Sequence, residues 1–369
     1  MASNHLKVPT GLKVRTQLMT VLKPLYLWLG QVESWFLKDE LANTVVTKPV
    51  YVNALPRSGT TIISEILSQH HDTCHHQYGD FPNVFTPYWK RWLKQRNPVK
   101  SVQYTERSHG DRIMVNQQSI DAFEEVIWQA FFKNIHQQNR CQIPDPWQHP
   151  PFIDFYTDHI KKMILVTGQT RYICKNNYNI NRMLQILDLF PDAKFIIPIR
   201  HPINHVASML KQHNKFLQAG KHNPDIDRQL AASGHFEFGR LRELISFGDQ
   251  VSEQNVLNHF EDLMGWARYW AYYYKQVHQL INSNLQLQSS VLMFRYEDLC
   301  FDTATTLEKI FAHCALNHSN YSEIQSQYEN VLTVPTYYSV EFSDEQKTDI
   351  MHITEEMATL FGYNLNNHF

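Results

Sequence analysis

Between residues 56 and 61 the chain reads Pro-Arg-Ser-Gly-Thr-Thr, and Arg57, Ser58, Gly59, Thr60 and Thr61 are the residue types that grip anions. Arg57 brings a permanent cation with a planar fork of donors. Ser58, Thr60 and Thr61 add hydroxyl donors beside it. The apolar run from Pro49 to Leu55 reads as a buried strand. After the turn, Ile62, Ile63, Ile66 and Leu67 fall on one helical face. A strand, a tight turn and a helix opening at Thr60 aim several backbone N–H groups, and the helix's positive end, at one point outside the sheet. The expected guest is a phosphate or a sulfate.

Two further cations take comparable places. Arg171 to Lys175 reads as a short strand ending in Lys175, and Lys194 to Ile199 as a strand that runs into Arg200. Strands alternating with helices predict an α/β fold with a parallel sheet, whose ligands collect at the carboxyl ends of the strands. Arg57, Lys175 and Arg200 all fall there. The nearest familiar template for the first turn is the Walker A loop, G-x-x-x-x-G-K-[ST]. It places Ala54 at the first glycine, Gly59 at the second and Thr60 in the lysine slot. A kinase or ATPase needs that lysine on its phosphates. With the cation moved to Arg57, the pattern favours an anionic donor handled without Mg²⁺.

The Pro56–Thr61 turn resembles the 5′-phosphosulfate loop of sulfotransferases, most closely the tyrosylprotein type and its bacterial relatives. Arg200 and Ser208, eight residues apart after an apolar strand, resemble the family's second signature, which grips the donor's 3′-phosphate. The run from Cys174 to Pro202 is similar to the tyrosylprotein NKDP…LFPNAKF…VRD segment, with the same lysine-to-arginine spacing. Asn176-Asn177 stand where that family has Asp-Pro. Tyr296-Glu297-Asp298-Leu299 resembles the YEDL strand end near the adenine, and Phe361-Gly362-Tyr363-Asn364 the C-terminal LGYDP. The resemblance extends from about Lys48 to Asn364.

It implies a P-loop-like three-layer α/β sandwich with a central parallel sheet and added helices. It implies in-line transfer of a sulfuryl group from 3′-phosphoadenosine-5′-phosphosulfate (PAPS) to an acceptor hydroxyl or amine, without a metal. Arg57 and Lys175 would stabilise charge on the leaving oxygen, Ser58 to Thr61 would cradle the 5′-phosphate, Arg200 and Ser208 the 3′-phosphate, and Tyr296 would lie near the adenine. The family's basic glutamate falls on Tyr78 here, so Asp80, two residues on, is the expected base, with His76 and His75 in reserve. An ATP-dependent phosphotransferase and a non-catalytic nucleotide-binding module are the alternatives.

The remainder of the chain bounds these readings. Its 369 residues, 43% hydrophobic with 21 Phe, 18 Tyr and 8 Trp, bury a large core. A net charge of −2 gives no reason to expect nucleic acid. No linker or repeat divides it, so residues 48–369 are expected as one elaborated domain and residues 1–47 as a helical arm packed on it. That arm shows no signal peptide and no membrane span, and Leu25, Trp28, Leu29 and Trp35 leave surface association open. Five scattered cysteines fit a reducing, cytoplasmic setting. The acceptor is expected to be a carbohydrate, lipid or small molecule rather than a protein tyrosine.

Among local elements, Ser119 is expected to cap a helix over Ile120 to Lys133, and Val251 to Asn284 to form one long helix with a core stripe of Trp266, Trp270, Tyr273 and Tyr274. Ser343 to Gln346 reads as a capping box. The basic run Tyr88 to Lys100 reads as a solvated helix, or as a rim for an anion. Glu106 to Asp111 reads as a polar loop. The loops around Asp80, Lys90, His109 and His213 to His235 are expected to shape the acceptor pocket. The His70–Asp80 run lacks metal-site spacing.

Overall fold

The apolar runs become a five-stranded sheet: β1 (Val50–Val52), β2 (Thr73–His75), β3 (Arg171–Lys175), β4 (Lys194–Ile199) and β5 (Val291–Arg295). Their spatial order is β5-β4-β1-β3-β2, parallel throughout. This is a computed structural model, and it describes residues 8–96, 104–106, 114–329, 331–333 and 342–363. The expected loop around His109, Lys100 at the end of the basic run, and Asn364 lie outside the described residues.

The central strands are covered on both faces, which is why their sequences are nearly continuous apolar runs. Alternation across the pleat sends Tyr51, Cys174, Phe195 and Ile197 into one core, with Phe155, Met163, Val206 and Trp270 from the helices Pro150–Thr167, Pro202–His222 and Leu263–Asn282. Val50, Val52, Ile173 and Ile196 face the other way, against Ile63, Ile66 and Leu67 of the helix Thr60–Ser68 and Leu307 and Phe311 of the helix Thr303–His313. The result is three layers. From β1 the chain builds β2 and β3 on one side, then crosses to build β4 and β5 on the other. The order therefore reverses beside β1, where open parallel sheets bind ligands.

The N-terminal helices Thr10–Val21 and Lys23–Phe36 lie against the helix Pro150–Thr167 and the helix Pro224–Ala232. Lys162 donates to the Gly30 carbonyl at 2.7 Å, and Thr16 to Gln229 Oε1 at 2.8 Å. Leu25, Trp28 and Trp35 are exposed. No helix among the described residues is long and apolar enough to cross a membrane.

Three local expectations need correction. The helix after Ser119 begins only at Glu124. Ser119 Oγ instead accepts from Asn116 N at 3.0 Å, and Asp121 N donates to the His76 carbonyl at 2.9 Å, holding residues 120–123 non-helical. The long helix over Val251 to Asn284 is two helices, Gln250–Asn258 and Leu263–Asn282. The second starts so close to the first's end that a Cβ on Gly265 would sit 1.7 Å from the His259 carbonyl oxygen. Its Trp266, Trp270, Tyr273 and Tyr274 are buried in the core. The basic helix Pro87–Arg96 turns Arg91 and Lys90 inward, onto Asp80, rather than outward as a rim. The capping box forms as read: Gln346 N donates to Ser343 Oγ at 3.2 Å and Ser343 N to Gln346 Oε1 at 3.0 Å.

Candidate active site

The turn after β1 takes a backbone that explains its composition. Gly59 has φ 108°, and a Cβ there would lie 2.3 Å from the Tyr296 ring, so this position admits only glycine. Arg57 also has positive φ, 74°, an uncommon state for a side chain of its size and one that clusters at functional turns. His205, buried on the helix after β4, bonds through Nε2 to the Pro56 carbonyl at 2.9 Å. Burial pushes its pKa down to about 3, so it is a neutral donor that pins the turn. The helix Thr60–Ser68 then starts at the turn, with Ser58 and Thr60 buried beneath.

Around this turn the structure gathers the distant sequence candidates. Arg57 Nε donates to Ser208 Oγ at 3.3 Å, and Arg200 Nη1 to the Arg57 carbonyl at 3.3 Å. The Arg200 guanidinium stands 5.8 Å from the Tyr296 ring centre. Lys175, at the carboxyl end of β3, pairs in register with Val52 of β1. At Asn176-Asn177, which stand in place of Asp-Pro, Asn176 Oδ1 accepts from Tyr178 N at 3.1 Å and starts a 3₁₀ turn over Asn177–Arg182.

A cleft of about 320 Å³ opens beside the turn, and Arg57, Thr60, Thr61 and Lys175 reach it. The described lining includes neither Asp80 nor His75 nor His76. Asp80 is buried under the loop, with Oδ2 accepting from Arg91 Nη2 at 2.9 Å and from Gln77 N at 2.8 Å. Burial pushes its carboxyl up, but His76, Arg91 and Lys90 outweigh that and hold it well below the usual carboxylate range. A carboxylate so neutralised is a weak proton acceptor. The same burial, with Arg91 nearby, brings His75 down to about 4, and His76 stacks on His159 with Nε2 atoms 3.1 Å apart. His70 and Asp72 of the same run meet His318, whose Nε2 lies 2.8 Å from Asp72 Oδ2.

Besides Arg57, Lys175 and Tyr78, the titratable groups that line the cleft are Asp121, His235 and Glu237. His235 Nδ1 lies 3.5 Å from Glu237 Oε2, and Glu237 Oε1 accepts from Asn177 Nδ2 at 3.1 Å. Sequence reading reached His235 only as the end of a pocket-shaping loop. Asp121 was hidden inside an expected helix, and Glu237 had no motif to mark it. A His-x-Glu pair directly after Gly234 was the one available signal.

A model of the sulfotransferase family matches residues 49–269 of the chain. Among solved structures, sulfotransferase STF9 from Mycobacterium avium is similar at TM-score 0.50 and 12% identity, over 91% of this chain and 83% of that one. Sulfotransferase STF1 from Mycobacterium tuberculosis H37Rv gives 0.47 and 14%, over 88% and 81%. A sulfotransferase from Alicyclobacillus acidocaldarius gives 0.42 and 14%, over 87% and 98%. No curated protein matches by sequence. At such low identity the Mycobacterium avium likeness speaks for the α/β fold alone.

Proposed function

The chain belongs to the sulfotransferase family, and on that premise we propose that it moves a sulfuryl group from PAPS to the hydroxyl of an acceptor bound in the cleft. One observation carries the reading: Arg57, Lys175 and Arg200 stand at the carboxyl ends of three adjacent parallel strands, around a glycine turn that opens a helix. That donor set of guanidinium groups, an ammonium, hydroxyls and first-turn amides fits phosphate and sulfate oxygens.

PAPS, when bound, supplies the sulfuryl group on a phosphate leaving group. Ser58 to Thr61 would hold the 5′-phosphate, Arg200 and Ser208 the 3′-phosphate, and the Tyr296 ring would border the adenine. Arg57 and Lys175 would stabilise the negative charge that grows as the bridging oxygen departs. Sulfuryl transfer, like phosphoryl transfer, asks a protein for alignment and charge stabilisation more than for covalent chemistry. Asp80, tied to Arg91, supports the loop in this reading and leaves the proton-accepting role to another group.

A thermal-shift titration with adenosine 3′,5′-bisphosphate against ATP–Mg²⁺ tests the donor. Stabilisation by the bisphosphate, lost in Arg200→Ala, is expected, and at a hundredfold excess over Kd it corresponds to about 2.7 kcal/mol. A preference for ATP–Mg²⁺ would replace this reading with a phosphotransferase.

A further inference from the structure

The apolar part of the cleft lining offers no hydrogen-bond donor to an anion. It is built by Leu12 from the N-terminal arm, Phe81, Phe123, Phe216, Leu230 and Phe238. These come from six separate places in the chain, so the apolar wall is a tertiary construction rather than one helix face. Three of its polar neighbours already hold partners. Gln229 Oε1 takes the Thr16 hydroxyl, Ser233 Oγ donates to the Gln229 carbonyl at 2.8 Å, and Asp121 Oδ1 takes Ala122 N at 2.8 Å. A sugar laid against the apolar wall would strip water from several hydroxyls where these side chains offer no partner, at a penalty for each.

His235 stands at the polar end. Its segment is fixed on several sides: His235 N donates to the Leu230 carbonyl at 2.9 Å, Phe236 N to Tyr178 Oη at 2.8 Å, and Phe236 stacks on His136 at 4.0 Å. With Nδ1 turned to Glu237, Nε2 is the nitrogen left for the cleft. Glu237 is in turn oriented by Asn177, two residues past Lys175.

We infer that the cleft takes an acceptor with an apolar skeleton and one hydroxyl, an alcohol or phenol, and presents that hydroxyl to His235, with Glu237 as the orienting carboxylate. The inference rests on the sulfuryl-transfer reading. In the step, the acceptor's O–H proton passes to His235 Nε2 while its oxygen forms the new S–O bond. The S–O bond to the 5′-phosphate breaks, its electron pair leaves on the bisphosphate, and the imidazolium later gives its proton to solvent. The groups that set the titration of His235 are all in view. Burial pushes the imidazole down, Glu237 beside it and Asp121 raise it, and Lys175 opposes them, with a net rise above the ordinary histidine value. Turnover is therefore expected to climb with pH through a limb above about 6.5.

The test has a binding arm and a kinetic arm. In the first, calorimetric titrations of 1-butanol, 1-hexanol, 1-octanol, 2-naphthol and glucose are run with adenosine 3′,5′-bisphosphate saturating. Affinity is expected to rise roughly three- to fourfold per added methylene, and Leu12→Ala to weaken octanol but not the bisphosphate. Glucose binding as well as octanol, or a flat response to chain length, overturns the acceptor class. In the second, His235→Asn is expected to lose roughly 10²–10⁴ in kcat, and Glu237→Gln to move the acidic limb to lower pH. Full kcat in His235→Asn, or an unmoved limb in Glu237→Gln, removes the pair from the chemistry. Absence of bisphosphate binding in the wild type would instead sink the donor reading itself, and the inference with it.

Discussion

At φ 74° Arg57 stands in a backbone state that costs about 1–3 kcal/mol, held by His205 below and Arg200 above. Alanine in its place keeps the strain and removes the guanidinium. Arg57→Ala and Lys175→Ala are each expected to lose about 10²–10³ in kcat with the thermal midpoint nearly unchanged; full turnover in either variant would remove that residue from the site. A second residue-scale prediction concerns His136, which bridges Glu125 at 2.8 Å and Glu243 at 2.6 Å beside Arg182. Burial pushes its imidazole down, but the two carboxylates more than offset this and raise it above the ordinary value. A raised folded-state pKa contributes stability that is complete below about pH 6.5 and is lost as pH rises through the folded value. The stability gap between wild type and His136→Gln is expected to narrow from pH 6 to pH 8.5 in urea melts. A gap that widens with pH would mean the bridge is not ionic.

At the scale of elements, the parallel strands β1, β3 and β4 were legible because burial on both faces leaves unbroken apolar runs, and their terminal cations because three unrelated segments ended alike. What escaped was tertiary. Phe123 has helical spacing with Val126 and Ile127, so periodicity extended the helix back to Ile120; the competing pairing of Gln77 with Ile120 and of Asp121 N with the His76 carbonyl comes from a segment more than forty residues away. The surroundings of Asp80 were hidden for a related reason: it lies two residues past the slot the resemblance gave, and Arg91 on the next helix claims its carboxylate. The break between Gln250–Asn258 and Leu263–Asn282 left one sequence trace, Gly265, which reads as a tolerated helical glycine until its contact with the His259 carbonyl is seen. Gly265→Ala is expected to destabilise the protein by about 1–3 kcal/mol, although alanine is the better helix former by about 1 kcal/mol. Increased stability in a denaturation series would mean the two helices are not in that close approach.

For the molecule as a whole, one of the ties that hold the helices of residues 8–43 is a buried ion pair, and that pair links their docking to pH and to the cleft. Glu33 and Lys162 are both fully buried, with Nζ 3.4 Å from Oε2, and Trp89 N donates to Glu33 Oε1 at 2.6 Å. Burial raises the Glu33 carboxyl to about 7, with Lys162 pulling the other way. Removing one member of such a pair leaves the other charge uncompensated, at a cost of about 3–5 kcal/mol. In Lys162→Met the carboxyl loses the cation that pulls its pKa down, so it holds its proton to higher pH still. At pH 6 it is neutral and the variant loses little; as pH rises towards 8.5, ionisation in the fold becomes the dominant penalty. The destabilisation is therefore expected to grow with pH, and Glu33→Leu combined with Lys162→Met to recover most of it, since an apolar pair carries no desolvation penalty. Because Leu12 rides on the same arm, the single variant at pH 8 is also expected to raise the KM of apolar acceptors while bisphosphate affinity holds. A loss of stability equal at pH 6 and pH 8.5 would show that Lys162 contributes packing rather than charge, and an unchanged KM would show that the arm's position does not govern the acceptor wall.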